Sequence, residues 1–236
     1  MKRKALLIGN SNGLQGVKLD INSFINFLRQ DVGGHWYDSE ITIKMDPTKA
    51  DLLSTISQMR RERNDFSFAV FSGHGAYQKG TVMEINNRGE TINEDDLKFI
   101  SSRQISIFDC CRNVIPTSNF DSLVLKSERI INLWAEKIRA KYDARIMQAI
   151  EQQVSLYACS VGESALDTEN GGLYINNLLK ASKSIQSDYK LVGNAHEEAA
   201  FATKIEASRK EKHQQNPTAT LPKCMSFQQL IISINH

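Results

Sequence analysis

Four short strand-like runs, at residues 5–8, 66–72, 105–110 and 154–158, are apolar over most of their length and alternate with segments of helical periodicity. A strand with one wet face alternates apolar and polar residues, whereas a run such as Ala5, Leu6, Leu7 and Ile8 needs cover on both faces. The pattern therefore calls for a central sheet buried between two helical layers, and the strand–helix alternation makes that sheet largely parallel. The fold class expected is α/β, a three-layer α/β/α arrangement with a mostly parallel six-stranded central sheet.

The intervening segments fill in the order. Val17, Ile21, Phe24, Ile25 and Leu28 share one face of a helix over 17–30, with Asp20 in its first turn. Ile41, Ile43 and Met45 alternate in a second strand, and Thr48 with Asp51 opens a helix carrying Leu52, Leu53, Ile56 and Met59. Residues 81–85 and 90–92 read as a hairpin around Asn86-Asn87-Arg88-Gly89, and Asn93 as the cap of a short helix. A long helix is expected over 127–152 with a stripe at Ile130, Trp134, Ile138, Tyr142, Ile146 and Ile150. Two more are expected near 173–181 and 195–212, and 227–234 supplies the sixth strand.

The chemistry gathers at two strand ends. Residues 66–72 run into Ser72-Gly73-His74-Gly75, and 105–110 into Cys110-Cys111-Arg112 after Asp109. Open α/β sheets place functional groups at the carboxyl ends of their strands. A thiol and an imidazole delivered there by neighbouring strands form a nucleophile with its base. Arg112 beside Cys111, and His74 opposite, would favour the reactive thiolate. Alternation sends Cys110 and Cys111 to opposite faces, so at most one enters a site. Taken singly, the cysteines read equally well as small buried residues ending a strand, and His74 as a loop histidine.

A length of 236 residues suits one domain, 1–236. The net charge of +2, with no basic block interleaved with aromatics, gives no support for nucleic-acid binding. The apolar run after Lys2-Arg3-Lys4 is too short for a signal peptide, and no run reaches the length of a membrane span, so a cytoplasmic location is expected. Cys110, Cys111, Cys159 and Cys224 lack metal-site spacing and read as reduced thiols. Residues 93–96 are acidic but read as a helix start, not a calcium loop, so no metal or other cofactor is expected and calcium activation has no clear site.

Ser-Gly-His-Gly after one apolar strand and Asp-Cys-Cys-Arg after the next resemble the caspase and metacaspase superfamily of cysteine peptidases. The resemblance extends to residues 5–10, to Leu14-x-Gly16-x-x-x-Asp20, to Tyr157-Ala158-Cys159-Ser160 and to Gly172-Leu173-Tyr174, covering nearly the whole chain. It implies Cys111 as nucleophile, His74 as base, and the amides of Gly75 and Cys111 as oxyanion donors, with Cys110 structural. In metacaspases an Arg or Lys before the cleaved bond is held at positions that here are Asp20, Ser72 and Asp109; cleavage after Arg or Lys is the expectation. Two departures stand out. The spacing 111 − 74 = 37 is shorter than the roughly 50 usual in caspases, and Asn113 stands where caspases have glycine.

The resemblance further implies protein or peptide substrates and an activating partner protein, for an effector protease in stress or defence signalling. Lys126, Arg129, Lys137, Arg139, Lys141 and Arg145 in the segment after Cys111 offer self-cleavage positions, although basic residues on a helix usually form a solvated face. The rival from another class is a caspase-fold interaction or scaffold module with weak or no activity, against which intact His74 and Cys111 argue. A nucleotide-binding domain is weaker, because the loop 9–16 lacks both the Gly-x-Gly-x-x-Gly spacing and the Lys-Ser/Thr of a P-loop.

Overall fold

The computed structural model describes residues 1–113, 133–211 and 213–235. Six strands, β1 (Arg3–Gly9), β2 (Ile41–Met45), β3 (Asn64–Ser72), β4 (Ser101–Asp109), β5 (Gln152–Tyr157) and β6 (Thr218–Thr220), form one sheet in the order β6-β5-β4-β3-β1-β2. All neighbours are parallel except β6, which runs antiparallel to β5. The register lines up Leu7, Val70, Ile107 and Leu156 in one row across the four central strands. These strands are buried on both faces, as their apolar runs require, whereas β2 at the edge leaves Ile43 exposed.

Alternate residues of each strand pack into two cores. On one face, Leu7, Phe68, Val70 and Ile107 meet helices α1 (Gly16–Arg29), α3 (Leu133–Gln148), α4 (Leu173–Lys183) and α5 (Val192–Glu211). On the other, Leu6, Ile8, Phe71 and Phe108 meet α2 (Lys49–Arg61) and a three-stranded antiparallel sheet of Gly75–Tyr77, Thr81–Glu84 and Thr91–Asn93. The hairpin read from sequence is thus two-thirds of a sheet whose first strand continues from His74. The α2 start is as expected, with Thr48 Oγ1 accepting from Asp51 N at 3.1 Å.

Two expectations differ from the structure. Ile231–Ile234 does not join the central sheet; it pairs antiparallel with Tyr189–Leu191 in a separate ribbon, and the sixth strand is Thr218–Thr220. Ile231–Ile234 is apolar because it is buried, whereas a short edge strand needs no apolar run, so hydrophobicity tracked burial and not sheet membership. The long helix is described from Leu133, and the earlier part of the expected 127–152 helix, with Ile130, lies outside the described residues. Of the stripe, Ile138, Tyr142 and Ile146 are buried while Trp134 is 56% and Ile150 39% exposed. Residues spaced by four drift by about 40° per step around a helix with 3.6 residues per turn, which turns Trp134 away from the core, while Ile150 lies beyond the end of α3 at Gln148, short of the expected 152.

Among the described residues, no helix is long and apolar enough to cross a membrane.

Candidate active site

Strands β3 and β4 end level with each other, Ser72 opposite Asp109. Parallel pairing therefore brings the two tips to one rim, and backbone contacts fasten them there. Gly73 N donates to Asp109 O at 3.1 Å and Tyr77 N to Asn113 O at 3.0 Å, with an isolated parallel bridge between Ala76 and Asn113. Asn113 thus joins the tips through its carbonyl, while its side-chain amide bonds Ser164 Oγ at 2.5 Å. At Gly75 an added Cβ would lie 2.6 Å from Cys110 Sγ and 2.7 Å from Cys111 O. Only a residue without a side chain lets the two tips approach this closely.

His74 and Cys111 line the same pocket, of about 160 Å³, together with Asp20, Ser72, Asp109 and Asp167. His74 Nε2 lies 2.7 Å from Asn12 O. A carbonyl only accepts, so Nε2 carries the proton, and in the neutral ring it is Nδ1 that holds the lone pair, the tautomer a base requires. The half-buried Cys111 has its Sγ 3.8 Å from Ala165 O. Cys110 is buried in the second core, and burial pushes its thiol well above the ordinary value; burial likewise pushes Cys159 up to about 12. The two neighbouring thiols are therefore held as thiols.

Arg112 does not act as expected. Its guanidinium lies over Tyr157 at 4.1 Å and bonds Thr81 Oγ1 at 3.2 Å and Cys159 O at 3.4 Å. It pins the Cys111 loop to the small sheet and to the end of β5, so its charge is committed on the opposite face from the pocket.

Two amides remain available near the thiol. Glu84 N donates to His74 O at 3.0 Å, which makes Gly75 and Met83 a non-hydrogen-bonded pair and leaves the Gly75 N–H out of the ladder. The Cys111 N–H donates to no other group among the described residues.

Beneath the rim the pocket is acidic. Asp20 of α1 accepts from Ser72 Oγ at 2.7 Å and from Gly172 N at 2.8 Å; Asp109 accepts from Ile175 N, in the first turn of α4, at 2.9 Å. The expected trio Asp20, Ser72 and Asp109 is thus assembled from three elements. Burial pushes the Asp20 carboxyl up to about 7 despite these hydrogen bonds. Burial first, and then the Asp20 charge, push Asp109 well above the carboxylate range. Asp167, exposed in the two-stranded antiparallel ribbon of Asp167–Thr168 and Gly171–Gly172 before α4, accepts from Gly16 N at 3.2 Å and adds a third carboxylate, which raises both others. No Lys, Arg or His among the described residues pairs with any of the three.

The caspase domain model, Peptidase C14, matches residues 2–225. The chain belongs to the caspase domain family. No curated protein sequence matches it. Among solved structures it is similar to caspase-1 from Spodoptera frugiperda, at 10% identity and a TM-score of 0.62 over 92% of this chain and 87% of that one. It is also similar to a protein of Geobacter sulfurreducens, at 12% identity and a TM-score of 0.59 over 97% of both chains. At such identities the likeness is one of fold, and the family is one of cysteine peptidases whose chemistry calls for no cofactor. Among the described residues no three His, Cys, Asp or Glu side chains are grouped to hold a metal ion.

Sequence reasoning missed Asn12 and Asp167. Asn12 acts through a backbone carbonyl, which no residue type signals. Asp167 is brought in by a two-residue strand paired with Gly171–Gly172, too short to leave a sequence pattern, and only its closeness to the Gly172-Leu173-Tyr174 motif marked the region.

Proposed function

We propose that this caspase-family domain, acting as one unit over residues 1–236, is a cysteine endopeptidase that cleaves protein substrates after Arg or Lys. Cys111 Sγ attacks the scissile carbonyl as its proton passes to His74, and the amides of Gly75 and Cys111 stabilise the oxyanion from about 2.7–3.1 Å. Collapse breaks the C–N bond: the imidazolium gives its proton to the leaving amine and the acyl group stays on Cys111 as a thioester. Water, deprotonated by His74, then attacks the thioester, releasing the new carboxyl terminus and restoring the thiol.

The observation that carries this reading is the pocket itself, where the thiol and the imidazole share a rim above Asp20, Asp109 and Asp167, three carboxylates with no cation partner among the described residues. A substrate guanidinium or ammonium supplies the missing charge, and Ser72 completes the polar lining. Arg139 and Arg145 are not offered for self-cleavage: Arg139 pairs with Glu40 at 2.7 Å, and Arg145 is buried and donates to Gln229 O at 3.1 Å. Lys126 and Arg129 lie outside the described residues.

The test is a positional peptide library run on wild type, Cys111→Ala and His74→Ala, with and without calcium. Cleavage after Arg or Lys is expected, lost in Cys111→Ala and reduced about 10²–10⁴-fold in His74→Ala. Preference for Asp before the cleaved bond would overturn the pocket assignment. Equal turnover in all three proteins would leave a caspase-fold interaction module.

A further inference from the structure

The strand Thr81–Glu84 ends beside the histidine tip. Gly75 is registered opposite Met83, and Glu84 N donates to His74 O at 3.0 Å, so His74 and Glu84 face each other one step beyond the last ladder pair. Residues so opposed project to the same side of an antiparallel pair, with Cβ atoms about 4.5–5.5 Å apart. The Glu84 main chain is fully used, since its carbonyl accepts from Asn10 Nδ2 at 2.9 Å. Its side chain is not: Oε1 is enclosed and has no hydrogen-bond partner among the described residues. An enclosed carboxylate oxygen without a donor is costly, so something must compensate it. Burial raises the Glu84 carboxyl above its ordinary value, and the His74 ring is the group that pulls it back down.

We infer that Glu84 is a positioning residue for His74, its carboxylate stabilising the imidazolium that forms when the ring takes the Cys111 proton. The inference rests on the peptidase reading, since that is where His74 gains a proton. Each neighbour of the ring has a separate task. The Asn12 carbonyl, from the loop between β1 and α1, holds Nε2–H and so fixes the tautomer. Cys111, after β4, exchanges the proton. The pocket acids Asp20 of α1, Asp109 of β4 and Asp167 of the short ribbon before α4 await the substrate cation, and all three already accept protein hydrogen bonds. Glu84, approaching from the small sheet, is not counted among the pocket residues. It therefore acts on the base without occupying space the substrate needs.

The test is an NMR titration of the His74 imidazole in wild type, Glu84→Gln and Glu84→Asp, beside kcat/KM for a peptide with Arg before the cleaved bond over the same pH range. Loss of the carboxylate in Glu84→Gln is expected to lower the His74 midpoint by about one pH unit and to move the acidic limb of kcat/KM, where protonation disables the base, down with it. Glu84→Asp should retain most of the wild-type values, and Glu84→Ala serves if the Gln variant does not fold. An unchanged midpoint and acidic limb in Glu84→Gln would overturn the role of Glu84 while leaving the peptidase reading intact. Wild type without Cys111-dependent hydrolysis would overturn the catalytic role together with that reading, even if the midpoint still fell.

Discussion

Asp20 and Asp109 sit in a position where two carboxylates oppose each other's charge and burial opposes both. The folded protein holds the Asp20 proton up to about pH 7, whereas the ordinary value is 3.8. This proton stabilises the fold fully below the ordinary value, and the contribution is lost as pH rises towards 7. Asp20→Asn removes the ionisable group and keeps an acceptor for Gly172 N. Its melting temperature, relative to wild type, is therefore expected to be higher at pH 8 than at pH 5; an equal difference at both would mean Asp20 is not held protonated. Asp20, Ser72 and Asp109 were legible in the sequence because each sits a fixed step from a motif residue. Asn12 and Asp167 were not, because one acts through a carbonyl and the other sits on a two-residue strand too short to leave a pattern. Arg112 misled for a related reason: adjacency to Cys111 in the chain says nothing about the face to which its long side chain turns.

At the scale of elements, the buried strands announced themselves and the edges did not. β1, β3, β4 and β5 are apolar because both faces are covered; β6, three residues at a sheet edge, carries no such imprint. Helix α3 shows the same logic at one residue. The Tyr142 ring is fully buried, lies tilted at 57° to Phe66 with centroids 6.3 Å apart, and fills the space over Gly34, where an added Cβ would lie 2.6 Å from it. Its hydroxyl is enclosed without a hydrogen-bond partner among the described residues. The ring should therefore matter and the hydroxyl should not. Tyr142→Ala is expected to cost about 3–5 kcal/mol in denaturant unfolding, as for other large aromatic truncations. Tyr142→Phe should be neutral or slightly stabilising, because it removes a buried polar atom that nothing satisfies. A loss in Tyr142→Phe comparable to that in Tyr142→Ala would contradict this picture of the α3 interface.

Across the whole molecule, parallel strand order does the gathering. Residues 37 positions apart meet because β3 and β4 are neighbours that end level with each other. The shortened stretch between them still folds into the small sheet that carries His74 out of β3 and returns to β4. The central claim, a nucleophilic Cys111 served by His74 above a cation-accepting pocket, is tested most directly by covalent labelling. Wild type and His74→Ala are incubated with a peptidyl-arginine chloromethyl ketone and, separately, with its aspartyl analogue, and the adduct is mapped by mass spectrometry. A single adduct on Cys111, formed faster with the arginyl reagent and slowed in His74→Ala, is the expected result; no adduct, an adduct on another cysteine, or faster labelling by the aspartyl reagent would contradict it.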